Sequence, residues 1–423
     1  MSRFILRQNW QAKTAGSFDT QRWISAFLLL FLTFSMLVPW IAFYRAFLFV
    51  GVFPLILWAC VRREAQVGID DRTGWLAVGL IGFVTAATFV PSGLVPDEQY
   101  QIVRWAVSTA VFVLAVLAAS QLWLSKPRFY ARIMVGVVIV SGVLAVVHYL
   151  WAGQYPARIS GFGFLSHPIL GPSSLISWWA IAMVMYRMDC RRSVYDHAVI
   201  VLSFLVVFTI VMLSQSRGPF VALSVFMFTF LLSLMWVSER KDKWIYIIGL
   251  VGGCVLLGVL SALLFDDLIN RMIERGLSYR PQIWLAVLQN PPELIWFGAG
   301  MASDFTTSEA GKVLYEQIGI RIKHPHNLFI GAFHYSGLVG AGIFFILLTW
   351  GLVRILRLSG LSGRRIRPFA IGLYILTLLL NMTDGYRLVA PPSPDWLFFW
   401  LPFMFLVGLA KFFETHEAKG HAL

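Results

Sequence analysis

Twelve stretches of about 20 mostly apolar residues occupy most of this chain, and that is the length an α-helix needs to cross a bilayer. They are 23–41, 44–61, 74–92, 103–124, 133–152, 167–186, 196–213, 218–237, 244–265, 327–350, 368–383 and 396–413. A backbone in hydrocarbon must satisfy its own hydrogen bonds, and a run of this length does so as a helix. The predicted fold is an all-α polytopic membrane protein of about 12 transmembrane helices. Glycine, proline or shortness weakens the second, sixth and eleventh runs. Composition agrees: 58% of residues are hydrophobic and only 13% charged, against roughly 25% charged in soluble domains.

Charge placement gives the topology. Loops on the cytoplasmic side are enriched in Lys and Arg. With the N-terminus inside, 23 of the 34 Lys and Arg fall in inward segments and 11 in outward ones. Both termini are therefore predicted cytoplasmic, and the net charge of +13 is a consequence of topology rather than of a nucleic-acid partner. Arg3, Arg7, Lys13 and Arg22 precede a first run too long for a signal-peptide core and without a clear small-residue cleavage site, so an uncleaved span is expected. Cys60, Cys190 and Cys254 lie far apart, predicting neither a disulfide nor a metal-ligand spacing.

No internal repeat or soluble domain boundary is evident, so 1–423 reads as a single membrane domain. One outward connection, 266–326 between the ninth and tenth runs, is far longer than the others. Long loops in compact proteins are usually functional or disordered. Within this one, Pro281–Leu288 reads as a short helix with proline in its first turn, and 309–319 as a second.

Candidate functional residues cluster on outward segments. In Lys323-His324-Pro325-His326-Asn327, His326 and Asn327 stand at the N-terminus of the tenth run. The helix dipole there disfavours imidazolium and favours the neutral ring, the form that accepts a proton. His326 is the candidate general base, with His324 as the alternative; the structural alternative is helix capping. In Ser214-Gln215-Ser216-Arg217-Gly218-Pro219, Ser216 suits an N-cap and Pro219 a first turn. Arg217 beside a helix N-terminus makes an anion site, or else a head-group contact. Arg280 in Ser278-Tyr279-Arg280-Pro281-Gln282 precedes a proline, so an extended backbone is expected, again aimed at an anion. Arg158 in Arg158-Ile159-Ser160-Gly161 and Asp384 in Asp384-Gly385-Tyr386-Arg387 are further candidates, for which a local ion pair or turn is the structural alternative. No phosphate-binding glycine loop and no dinucleotide-fold pattern is present. Outward arginines, apolar spans and a neutral histidine together suit transfer of a group from a lipid pyrophosphate to a hydroxyl.

His326-Asn327, then nine residues, then Gly337-Leu338-Val339-Gly340, resembles the signature H-(N/S/Q)-x9-G-x-x-G of the O-antigen ligase family, within the ligase/polymerase superfamily. The Ser216-Arg217-Gly218 turn and the Arg280 segment lie where that superfamily has its functional arginines. The resemblance rests in sequence on 214–340 and in topology on most of the chain. It implies a GT-C-like inverting glycosyltransferase of the bacterial inner membrane, without metal or other cofactor. Such an enzyme moves O-antigen from undecaprenyl pyrophosphate to a sugar hydroxyl of lipid A-core at the periplasmic face. His326 would then activate the acceptor hydroxyl and Arg217 and Arg280 hold the pyrophosphate, with His324, Asn327, Arg158 and Asp384 as further substrate-binding residues. The first outward loop, 38–45, carries no Asp or Glu, which disfavours a metal there, although Asp97, Glu98, Asp266 and Asp267 are outward acids.

Rival readings are an O-antigen polymerase, a protein O-oligosaccharyltransferase and, from a different class, a transporter or flippase. Transporters tend to carry internal repeats and midplane ionisable residues. Here no repeat is found, and His148 and His334 fall nearer the outward ends of their spans.

Overall fold

The computed structural model describes residues 19–62, 69–90, 96–189, 193–237, 268–271, 278–385 and 387–418. Regular structure among them is entirely helical. We number the helices α1 (Thr20–Leu37), α2 (Ile41–Ala46, continued by a π-helical turn Phe47–Val52 and by Phe53–Arg62), α3 (Arg72–Thr88), α4 (Pro96–Ser125) and α5 (Pro127–Trp151). There follow α6 (Leu170–Met188), α7 (Val194–Ser214), α8 (Arg217–Val237), α9 (Arg280–Gln289), α10 (Glu309–Ile318), α11 (Leu328–Leu356), α12 (Gly360–Thr383) and α13 (a π-helical turn Trp396–Trp400, then Leu401–Ala418). Among the described residues, nine helices are long and apolar enough to cross a membrane: α1, α2, α4, α5, α7, α8, α11, α12 and α13. The third and sixth predicted spans are the helices α3 and α6, and the ninth, 244–265, lies outside the described residues.

Helix ends depart from the apolar runs where polar residues extend a helix. The fourth span begins at Pro96 rather than 103, since proline needs no N–H partner in a first turn and Asp97 and Glu98 favour the positive helix end. The eleventh begins at Gly360 rather than 368, so Arg364, Arg365 and Arg367 are helical. The sixth begins at Leu170 rather than 167, leaving His167 in the preceding connection.

Burial separates the centre of the bundle from its rim. α13 is the core helix, 94% buried, packed against α4 and α12, whereas α2 and α8 are 28% buried and peripheral. The rim exposes Val143, Leu144 and Val147 of α5 and Val221, Phe228 and Leu232 of α8, apolar faces that lipid solvates without the penalty water would impose. One end of the bundle is tied by carboxylates. Asp71 accepts from Thr73 N and Gly74 N at the start of α3, and also from Arg354 at 2.7 Å; Arg354 reaches Glu414 of α13 at 2.6 Å. Asp196 closes a capping box with Ser193 at the start of α7 and accepts from Arg128 and Arg132 of α5.

At the other end, α9 and α10 form the two short helices expected within the long connection. They enclose a small core of Ile283, Ala286, Val287, Phe305, Ala310 and Leu314, seated on Ile330 and Phe333 of α11. A break in α11 locks this cap to the bundle. Gly337 has φ 66° and ψ −168°, a backbone conformation essentially restricted to glycine. The break frees backbone groups that residues 295–300 then satisfy. Ala299 N and Gly300 N donate to His334 O and Tyr335 O at 2.8 and 3.0 Å, and Leu338 N and Val339 N donate to Ile295 O and Trp296 O at 2.9 and 3.2 Å. A Cβ on Gly337 would lie 2.4 Å from Trp296 O. Gly337→Ala is therefore expected to destabilise the protein by about 1–3 kcal/mol for backbone conformation alone, seen as a lower melting temperature of the detergent-solubilised protein. Gly342→Ala, which would meet nothing within 4 Å, is the control and should not lower it.

Candidate functional site

Four connections converge at the capped end. The first is the end of α12, where Asp384 is 2% exposed. Its Oδ1 accepts from Arg280 Nη2 at 2.7 Å. Burial pushes the Asp384 carboxyl up to about 7, opposed by Arg280, by a hydrogen bond from Thr383 and by Arg158. Arg280 opens α9 rather than standing extended: Tyr279 before it turns left-handed, and Pro281 sits in the first turn, where it needs no N–H partner.

The second is the His324-Pro325-His326-Asn327 turn. Asn327 is the N-cap of α11, its side chain accepting from Phe329 N at 2.9 Å and Ile330 N at 3.2 Å. Trp284 of α9 donates from Nε1 to Pro325 O at 3.2 Å. Thus α9 clamps both sides of the site, Asp384 through Arg280 and the histidine turn through Trp284. His326 Nδ1 lies 3.9 Å from Asp384 Oδ1, an electrostatic contact longer than a hydrogen bond. Burial, then Arg280 and His167, hold the His326 pKa down at about 4. His324 packs against it with ring centroids 4.0 Å apart and is pushed to about 3, by burial first and then by the neighbouring charges of His326, Arg387, His167 and Lys323. The neutral His326 expected from the helix dipole is thus neutral chiefly through desolvation.

The third is the turn between α7 and α8. Arg217 Nη2 donates to Ser278 Oγ at 3.3 Å, joining this turn to the segment before α9. Pro219 lies in the first turn of α8, and the Ser216 hydroxyl accepts from Arg158 Nη2 at 2.6 Å. Gly218 allows the close approach of α8 to α12, because a Cβ there would sit 2.5 Å from Thr383 Oγ1 and 3.1 Å from Asp384 Oδ2.

The fourth is the connection between α5 and α6. Arg158 reaches across it to Ser214 O with Nε at 2.8 Å as well as to Ser216. His167, which did not stand out in the sequence, belongs to this connection, and its charge would act on both His324 and His326. Its one sequence signal is the pair His167-Pro168, matching His324-Pro325. Arg387 and Asp395, on the connection from α12 to α13, were likewise missed; burial raises Asp395 to about 6, with Ser393 and Arg387 opposing.

Backbone conformation marks the same places. Among the described residues, the non-glycine residues with positive φ are Gln215, Ser278, Tyr279 and His326. Each lies in one of three candidate segments, and such conformations cost about 1–3 kcal/mol unless the surroundings impose them. Strain of this kind concentrates at functional sites. Among the described residues no group of three or more His, Cys, Asp or Glu is arranged to hold a metal ion.

These features define a multi-pass all-α membrane protein with a buried arginine–carboxylate pair and neutral histidines at one end of its bundle. Residues 202–345 match the family model described as O-antigen ligase, a stretch containing Arg217, Arg280, His324, His326 and Asn327 but neither Arg158 nor Asp384. The chain is 25% identical over 278 residues to an O-antigen ligase of Pseudomonas aeruginosa, the match covering 64% of this chain. It spans 61% of that relative, less than two thirds of its length. Both matches support the O-antigen ligase family for this chain.

The histidine environments are checked by nitrogen-15 NMR of histidine-labelled protein, with His324→Gln and His326→Gln for assignment. Both rings should be neutral at pH 6, where an exposed histidine is mostly charged. They should protonate only as pH falls toward about 4 for His326 and about 3 for His324. The sign follows: an unfolded chain takes up these protons first, so these two groups remove stability as pH falls below about 6.5.

Proposed function

We propose that this protein is an O-antigen ligase, an inverting, metal-independent glycosyltransferase. It would take a glycan from undecaprenyl pyrophosphate and transfer it to a sugar hydroxyl of lipid A-core. The observation that carries this reading is the neutral His326 3.9 Å from a buried Asp384 that also engages Arg280. A proton acceptor and an anion-binding cation thereby meet at one carboxylate.

The acceptor hydroxyl gives its proton to the lone pair of His326 as its oxygen attacks the anomeric carbon. The bond from that carbon to the pyrophosphate oxygen breaks, and its electron pair leaves with the pyrophosphate, inverting the centre. Asp384 faces the imidazolium that forms, through Nδ1. Arginine carries five N–H donors. Arg280 gives one of these to Asp384, through Nη2, and others can serve a phosphate. Arg217 and Arg158 add positive charge, and fixed cations stabilise a leaving group well in a site of low dielectric. This supply of charge from arginine is the basis for proposing metal independence. His324 and Asn327 are proposed to shape the acceptor side, Asn327 by holding the histidine turn on α11. The excess of Lys and Arg in the opposite segments supports a periplasmic site in the inner membrane, with both termini cytoplasmic.

In vitro, purified protein with undecaprenyl-pyrophosphate glycan and lipid A-core, plus chelator and without nucleotide, should give a core-linked product. Lengthened carrier glycan with no core adduct would move the protein to the polymerases, and a product only with a protein acceptor to the protein-glycosylating branch. His326→Ala should lower turnover by at least about 100-fold, the usual worth of a positioned base, while donor binding is kept. Arg217→Ala and Arg280→Ala should each raise the KM for donor or lower turnover, by about tenfold or more. Wild-type turnover in the His326 variant would remove the base assignment. Because His326 must be neutral, its own protonation should not depress turnover until the pH approaches about 4, so a loss of turnover nearer pH 7 is expected from protonation of Asp384 instead.

A further inference from the structure

His167 performs a task that does not by itself call for histidine. Its Nδ1 accepts from the backbone N–H groups of Ile169 and Leu170, both at 3.2 Å, at the start of α6. Helix starts are ordinarily capped by Ser, Thr, Asp or Asn. What the imidazole adds is its far edge. Backbone N–H groups only donate, so Nδ1 must present a lone pair. A neutral ring with its lone pair at Nδ1 carries its hydrogen at Nε2. The tautomer is therefore fixed, and Nε2–H is a donor pointing away from the end of α6. Partial burial and Arg158 hold the His167 pKa below its usual value, so the neutral form persists. Protonation at Nδ1 would also set an N–H against two others.

The connection that carries His167 is held in place. Gly161 N donates to Leu165 O at 3.0 Å, Ser160 Oγ to Ser166 O at 2.9 Å, and Gly171 N to His167 O at 2.9 Å. Ile159 N donates to Leu213 O at 3.0 Å, and Arg158 grips Ser214 O and Ser216 Oγ. One connection thus presents Arg158 at its beginning and His167 near its end, on the side of the bundle where His324 and His326 stand. His167 keeps solvent access, and its ring is near enough for a charge on it to be felt at both of those histidines.

We propose that His167 is a donor-binding residue: its Nε2–H forms a hydrogen bond to a phosphate oxygen of the lipid-linked glycan, beside Arg158. This rests on the transfer reaction proposed above. The setting favours a phosphate, because the groups around the ring are arginines and neutral imidazoles. A neutral directional donor among cations fixes where the pyrophosphate sits, whereas the arginines supply the charge.

Two substitutions separate binding from capping. Asparagine places an oxygen where Nδ1 stands and keeps the cap without the far donor. Glutamine places an amide N–H near Nε2 and gives up the cap. In the full-length protein in nanodiscs, His167→Asn should keep the wild-type melting temperature. Its KM for undecaprenyl-pyrophosphate glycan should rise about tenfold with little change in kcat, the worth of one hydrogen bond to a charged group. His167→Gln should bring KM back to within about threefold of wild type, the remainder of such a bond when geometry is imperfect. The reverse order, or wild-type KM in both variants, would overturn the proposal and leave His167 a cap. Should both variants lose transfer, the His167 Nε2–H resonance in otherwise wild-type protein decides: a shift on adding undecaprenyl pyrophosphate supports the contact, and an unmoved signal refutes it. No transfer product from undecaprenyl-pyrophosphate glycan with the wild-type protein would sink the transferase reading instead, and that same resonance would still report on His167.

Discussion

One buried carboxylate organises the capped end of this protein. Asp384 ends α12 inside the bundle, where water cannot compensate a charge, and Arg280 is brought to it from the far side of a long connection. A buried pair of this kind contributes little net stability, but losing one partner costs about 3–5 kcal/mol because the other is left uncompensated. The pair therefore acts as a register pin for α9 more than as a source of stability. Once Arg280 is fixed, the rest of α9 is fixed, and Trp284 on the same helix holds Pro325 O between the two histidines. The close approach of Gly218 to Thr383 and Asp384 brings the start of α8 to the same point, and with it Arg217.

A second constraint acts on α11. Its helix starts under the Asn327 cap and is interrupted nine residues later at Gly337, where 295–300 supplies the hydrogen bonds that the break releases. The signature spacing thus has a mechanical meaning. The cap aims the histidine turn, and the break anchors the helix that carries it to the small core of α9 and α10. The positive-φ residues lie in the turns pinned by these contacts, which is how strained conformations persist. A site held this way is preorganised, since its groups need little rearrangement on binding.

Much of this was legible in the sequence. Apolar runs and their spacing predicted the helices, because hydrocarbon leaves a backbone few alternatives. His326, Arg217 and Arg280 stood out because polar residues beside apolar helix starts require a reason. Other features were hidden. A proline after Arg280 suggested extension, yet the residue opens a helix, since the pull of Asp384, 104 residues away, has no local signature. His167 read as the first residue of an apolar span, and only the helix start at Leu170 shows it to be a cap.

The sequence by itself determined the all-helical class and most of its long apolar helices, and it singled out the few segments proposed to carry chemistry, because each depends on local hydropathy and spacing. Tertiary structure alone decided which of those segments meet. Asp384 pairs with Arg280, Arg158 reaches Ser216, and His167 comes near His324 and His326. It also decided the protonation of the histidines, for desolvation is set by what surrounds a ring and not by its neighbours in the chain.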